Sequence, residues 1–149
     1  MKKIISLSLI LVSLLFVLCG CFSEPKAQGL SGTNAKEFYK ILCEVTEVEE
    51  KEPRTEKNLT IYESQNENYN VKVEANSDNE VNKITITCLS DVDYENVFLS
   101  LSRLEYEGSN TVEAYKWIHS SIKYSSIHFI GNAKFEISTD KKQIILKVY

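Results

Sequence analysis

The chain has 149 residues, 43% of them hydrophobic, and a formal charge of −4, a size that suits one domain with a modest core. Its acidic balance argues against nucleic acid, or an anionic lipid surface, as the main partner. In chain order, Met1-Lys2-Lys3 precedes an uncharged run of Ile, Leu, Val, Phe and Ser over residues 4–18, the plan of a signal peptide with a basic start and a short apolar segment. A membrane-crossing helix needs roughly 20 apolar residues, and no basic stop-transfer cluster follows this run, so a permanent span is the weaker reading.

The run closes on Leu18-Cys19-Gly20-Cys21. With Leu18 at −3, the small Gly20 at −1 and Cys21 at +1, the first 21 residues resemble a bacterial lipoprotein precursor and its lipobox. Cys19 is the less usual occupant of −2, and cleavage ahead of it would put the bulky Leu18 at −1. The resemblance implies that the Cys21 thiol receives a diacylglyceryl group, that residues 1–20 are removed as the signal peptide, and that Cys21 becomes the lipid-anchored N-terminus at the extracytoplasmic face of the cell membrane. Two acyl chains hold a protein on a bilayer where one holds it only marginally. A plain secreted protein is the competing reading, and it lacks the anchor.

Such processing leaves 129 of the 149 residues and, with Lys2 and Lys3 gone, a formal charge of −6. Residues 22–33 mix Pro25, Gly29 and Gly32 with small polar side chains and show no apolar period. They read as a tether after the lipidated Cys21, spanning at most about 40 Å extended or roughly 20 Å as a flexible coil. The expected organisation is a signal peptide over 1–20, anchor and tether over 21–33, and a single domain over 34–149.

Asn34, with Glu37 three residues on, predicts a capped helix start, and Phe38, Ile41, Leu42 and Val45 follow at the spacing of one buried stripe. The charged stretch 47–57, with Pro53, reads as a solvated connection. From Asn58 the period becomes two: Leu59 and Ile61, then Tyr69, Val71, Val73 and Ala75, then Ile84, Ile86 and Cys88, separated by Asn-rich breaks. This predicts a three-stranded meander with one buried face. Asp91 or Asp93 can cap a second helix carrying Tyr94, Val97, Phe98, Leu101 and Leu104. Asn110 and Glu113 repeat the capping pattern ahead of Val112, Tyr115, Ile118 and Ile122. Residues 127–137 and 143–149 alternate around a polar turn, with Gly131 as a bend or bulge. The order α, βββ, αα, ββ predicts an α+β two-layer domain, an antiparallel sheet with helices packed on one face. The layout as a whole is similar to small uncharacterised lipoproteins of low-GC Gram-positive bacteria, a likeness that implies no activity.

Candidate chemistry is sparse. Cys43 and Cys88 remain after processing in an exported compartment, and a bridge between them would close a loop of about 45 residues, stabilising by roughly 4 kcal/mol; two buried free thiols are the alternative. Cys43, Cys88, His119 and His128 lack the close-set pairs of a zinc site, and His119 fits a hydrogen-bonded structural histidine. No Gly-x-Ser-x-Gly or Ser-x-x-Lys motif is present, and no cofactor motif stands out. Residues 76–80 superficially resemble a calcium loop, but Val81 replaces the sixth-position glycine and Thr87 the twelfth-position glutamate, so a hairpin turn is the better account. Asn58-Leu59-Thr60 matches a glycosylation sequon by chance. The aromatics offer most: Tyr62, Tyr106, Trp117 and Tyr124 fall off the apolar stripes and could form a recognition surface for a protein or a cell-envelope glycan, or else a second small cluster under the helix pair. The expected function is that of an extracytoplasmic, membrane-anchored binding module, not an enzyme. The alternative is an inhibitor or immunity-type lipoprotein that blocks one protein partner.

Overall fold

The computed structural model describes residues 27–149, so Cys21 and residues 1–20, the segment expected to be a signal peptide, lie outside the described residues. The fold is α+β. One seven-stranded, wholly antiparallel sheet runs in the order β1-β2-β3-β4-β7-β6-β5. Its strands are β1 Arg54–Glu56, β2 Leu59–Gln65, β3 Tyr69–Ala75, β4 Val81–Cys88, β5 Ser126–Ile130, β6 Ala133–Ser138 and β7 Gln143–Val148. The helices are α1 Ala35–Thr46, a short α2 Glu95–Leu99 that tightens into a 3-10 turn over Ser100–Arg103, and α3 Thr111–Ser121.

Period-two alternation sends Val71, Val73, Ile84, Ile86, Phe135, Ile137, Ile144 and Leu146 to one face, where all are buried in a single core with Phe38, Leu42, Phe98, Leu101 and Ile118 of the helical layer. The other face carries no helix residues of that core and is built from the alternate side chains, such as Lys72, Thr85, Ile145 and Glu136. Among the described residues no helix is long and apolar enough to cross a membrane.

Local chemistry sets the boundaries. Asn34 Oδ1 accepts from the Glu37 N–H at 3.1 Å, and Asn110 Oδ1 from that of Glu113 at 3.0 Å, each satisfying an otherwise orphaned first-turn donor. Helix α1 stops at Glu47, which takes a left-handed φ of 54° while its N–H returns to Cys43 and Glu44 carbonyls. Asn76 Oδ1 accepts from the N–H groups of Asp78 and Glu80, so residues 76–80 are the β3–β4 turn.

Several expectations are corrected. Residues 27–33 are not a free tether: Leu30 is fully buried in the core, its N–H donates to the Val81 carbonyl at 2.7 Å, and the Val81 N–H donates to Thr33 Oγ1 at 2.8 Å. Part of the 47–57 connection forms the edge strand β1; the bend expected at Gly131 is present, as the β5–β6 turn with φ 57°. The helical stripes sit one position round from the expected ones. In α1 the buried positions are Ala35, Phe38, Tyr39, Leu42, Cys43 and Thr46, with Ile41 at the surface; in α3 they are Ala114 and Ile118, with Val112 and Tyr115 exposed.

Candidate functional site

The four aromatics expected to share a surface are separated by the fold. Tyr62 pairs with Val73 across β2 and β3 and so points inward, where its ring lies 5.4 Å from that of Tyr39 and its hydroxyl donates to Asn79 Oδ1 at 3.1 Å. The residue expected to be inward, Ile61, pairs with Glu74 on the opposite face. Tyr106 is also buried, its hydroxyl donating to the Ile130 carbonyl at 2.9 Å. Burial, and after it the negative charge of Glu113, push its phenol up from 10.0 to about 12. Tyr62 and Tyr106 are thus core residues with a satisfied polar tip. Tyr124 is 69% exposed just beyond α3, at the opposite end of that helix from its Asn110 cap.

Trp117 is the member that lines a depression. It lies half-buried on α3 over the inner side of β5, stacked on His128 with ring centroids 5.6 Å apart and edge-on to Phe135 at 6.1 Å. His128 Nε2–H donates to Glu113 Oε1 at 2.9 Å, and Glu113 Oε2 accepts from Asn110 Nδ2 at 3.2 Å. One carboxylate therefore ties the cap of α3 to strand β5 and holds the imidazole flat under the indole. Val112, Lys116 and Ser120 complete the walls of an open depression of about 480 Å³. A turn further along, His119 Nδ1–H donates to Glu95 Oε1 at 2.7 Å with its ring stacked on exposed Tyr115. His119 is hydrogen-bonded as expected, but 61% of its side chain is exposed.

The depression offers flat aromatic contact, a hydrogen-bonded imidazole and the Lys116 ammonium at its rim, a set suited to binding through packing and a few polar contacts. Among the described residues no group of three or more His, Cys, Asp or Glu is placed to hold a metal ion. The bridge between Cys43 and Cys88 is not formed: both are buried free thiols. Each sulfur is engaged locally, Cys43 with the Tyr39 hydroxyl and Cys88 as a donor to the Ser90 carbonyl at 3.1 Å. Burial pushes the Cys43 thiol up, which keeps it protonated and unreactive.

Glu113 and His128 were not singled out as a pair by the sequence. The capping pattern around Asn110 located Glu113, but its contact with His128 depends on how α3 lies across β5. Comparison of the chain with known protein families, with curated proteins and with solved structures gives no match.

Proposed function

We propose that this chain is a lipoprotein held at the extracytoplasmic face of the cell membrane by an acylated Cys21, and that its α+β domain is a binding module for a protein or another component of the cell envelope. The address rests on the order of basic start, apolar run, small residue and cysteine over residues 1–21. The observation that carries the binding role is the solvent side of α3. Val112 is 61% and Tyr115 49% exposed there, flanking the Trp117–His128 depression. Neighbouring exposed apolar side chains beside a depression are the arrangement of a contact surface, and aromatic groups give large contact area at small entropic cost. In this reading the domain catalyses no reaction.

Metabolic labelling with a radioactive fatty acid tests the anchor: label should enter the chain and disappear in Cys21→Ser, and undiminished label in that variant would remove the assignment. Capture from detergent-solubilised membranes with the intact acylated chain tests the module. A partner held by the wild type should be lost in Tyr115→Ser and Val112→Ser at unchanged melting temperature. Full retention by both variants would overturn the role given to α3.

A further inference from the structure

On the face of the sheet that carries no helix among the described residues, Lys83 of β4 stands directly opposite Lys147 of β7, and Lys147 directly opposite Lys134 of β6. The same rung continues to Phe129 of β5, whose ring meets that of Tyr149 edge to face at 4.6 Å. Like charges opposed across strands destabilise a sheet unless something answers them. Lys134 is paired with Glu136 at 3.0 Å and Lys83 only loosely with Glu74 at 4.0 Å, while Lys147 makes no ion pair within 4 Å among the described residues and is answered only at longer range by the same Glu136. Phe129 and Tyr149 are 46% and 79% exposed. Three ammonium groups beside two exposed aromatic rings, one of them a tyrosine, form the combination that suits the headgroup layer of an anionic bilayer.

The position of the anchored end selects the lipid surface as occupant. Gln28 is fixed by its carbonyl, which accepts from Asn82 Nδ2 at 2.7 Å, and Asn82 directly precedes Lys83. Cys21 lies seven residues before Gln28, a separation of at most about 25 Å even fully extended. An acyl anchor at Cys21 would therefore hold this end of the sheet within reach of the headgroups. The net charge of the chain is acidic, but screening confines exposed charges to a Debye length of about 10 Å, so the lysine row acts locally.

We infer that the end of this face marked by the Lys83–Lys147–Lys134 row, with Phe129 and Tyr149, rests on an anionic phospholipid surface and so turns the far end of the strands, with Leu89 and Tyr124, toward the exterior. The inference rests on the lipoprotein reading for the anchor but not for its test. The chain beginning at Cys21, which retains every described element, is coupled through the Cys21 thiol to a maleimide phospholipid in vesicles, since Cys43 and Cys88 are buried. A water-soluble amine-acylating reagent then reports lysine accessibility by mass spectrometry. In phosphatidylcholine vesicles containing phosphatidylglycerol, Lys83 and Lys147 should be protected, and exposed Lys123 and Lys141 at the far end should not. The protection should vanish in high salt, and Lys147→Gln should lower the ratio of docked to undocked chain, read at Lys83, about five-fold. Unprotected Lys83 and Lys147, equal protection in phosphatidylcholine alone, or equal protection of Lys123 and Lys141 would overturn the inference. So would protection that grows with protein concentration without lipid, which assigns the face to a second copy. Absence of acylation in cells would remove the anchor reading alone, because here the anchor is supplied chemically.

Discussion

Leu30 and Val81 are joined twice, by a 2.7 Å hydrogen bond from the Leu30 N–H to the Val81 carbonyl and by burial of both side chains in one core. Thr33 completes the weld, donating its hydroxyl to the Leu30 carbonyl at 2.6 Å while accepting from the Val81 N–H at 2.8 Å. The domain thus begins ahead of α1, and five residues, not twelve, separate Cys21 from Ala27, the first described residue.

A stability cost follows for residues that look dispensable. Leu30→Ala should cost about 3 kcal/mol, the usual range for a fully buried leucine being about 2–5 kcal/mol. Thr33→Val should cost about 1–2 kcal/mol by leaving the Val81 N–H without its acceptor. A chain starting at residue 34 should melt well below one starting at residue 27. Equal urea midpoints for the two truncations would show that the segment is a tether after all.

The turn at Gly131 carries a sharper constraint. A Cβ at this position would lie 2.6 Å from the Gly108 carbonyl oxygen, and φ is 57°, in the left-handed region. Gly32 has φ 87° but nothing within 4 Å of its would-be Cβ. Gly131→Ala should therefore cost at least about 2 kcal/mol, strain and clash together, and Gly32→Ala only about 1 kcal/mol from strain. Urea unfolding of the two variants separates these terms, and similar losses would mean that the backbone contact contributes nothing.

Strand periods, polar turns and both asparagine caps were legible because each is set by neighbouring residues. The helical stripes were displaced because the positions nearest the sheet are small or polar: Ala35, Cys43, Thr46 and Ala114 are buried where close approach leaves little room, and Thr46 hides its hydroxyl by donating to the Leu42 carbonyl at 2.7 Å. Tyr62 was misplaced because β2 offers apolar residues on both faces, and only its register with Val73 decides which is inward. The lysine row could not be read as a whole, since Lys83 joins it only through the pairing of β4 with β7, strands far apart in sequence.

The two thiols make a clean chemical prediction. In the folded Cys21→Ser chain a thiol reagent should react slowly with Cys43 and Cys88 and rapidly with both after unfolding, because burial of each and the raised Cys43 thiol suppress the thiolate. Reductant should leave the urea midpoint unchanged. A bridge would instead raise stability by roughly 4 kcal/mol under oxidising conditions, a shift that a pair of melts with and without reductant resolves.

Tyr106 predicts the alkaline limit of the fold. Its phenol is raised from 10.0 to about 12, mainly by burial, so below pH 10 it is protonated in folded and unfolded chains alike and its full contribution is present. Between pH 10 and about 12 the unfolded chain gives up a proton that the folded chain retains, and stability falls by about 2–3 kcal/mol from this residue. Burial raises Tyr39, Tyr62 and Tyr69 in the same direction, which steepens the loss in the wild type. Tyr106→Phe should cost about 1 kcal/mol at neutral pH by removing the hydrogen bond to the Ile130 carbonyl, and yet lose less as the pH rises, so the two curves of urea midpoint against pH should converge and cross. Parallel curves up to pH 12 would show that the Tyr106 phenol ionises in the folded state as it does in the unfolded chain.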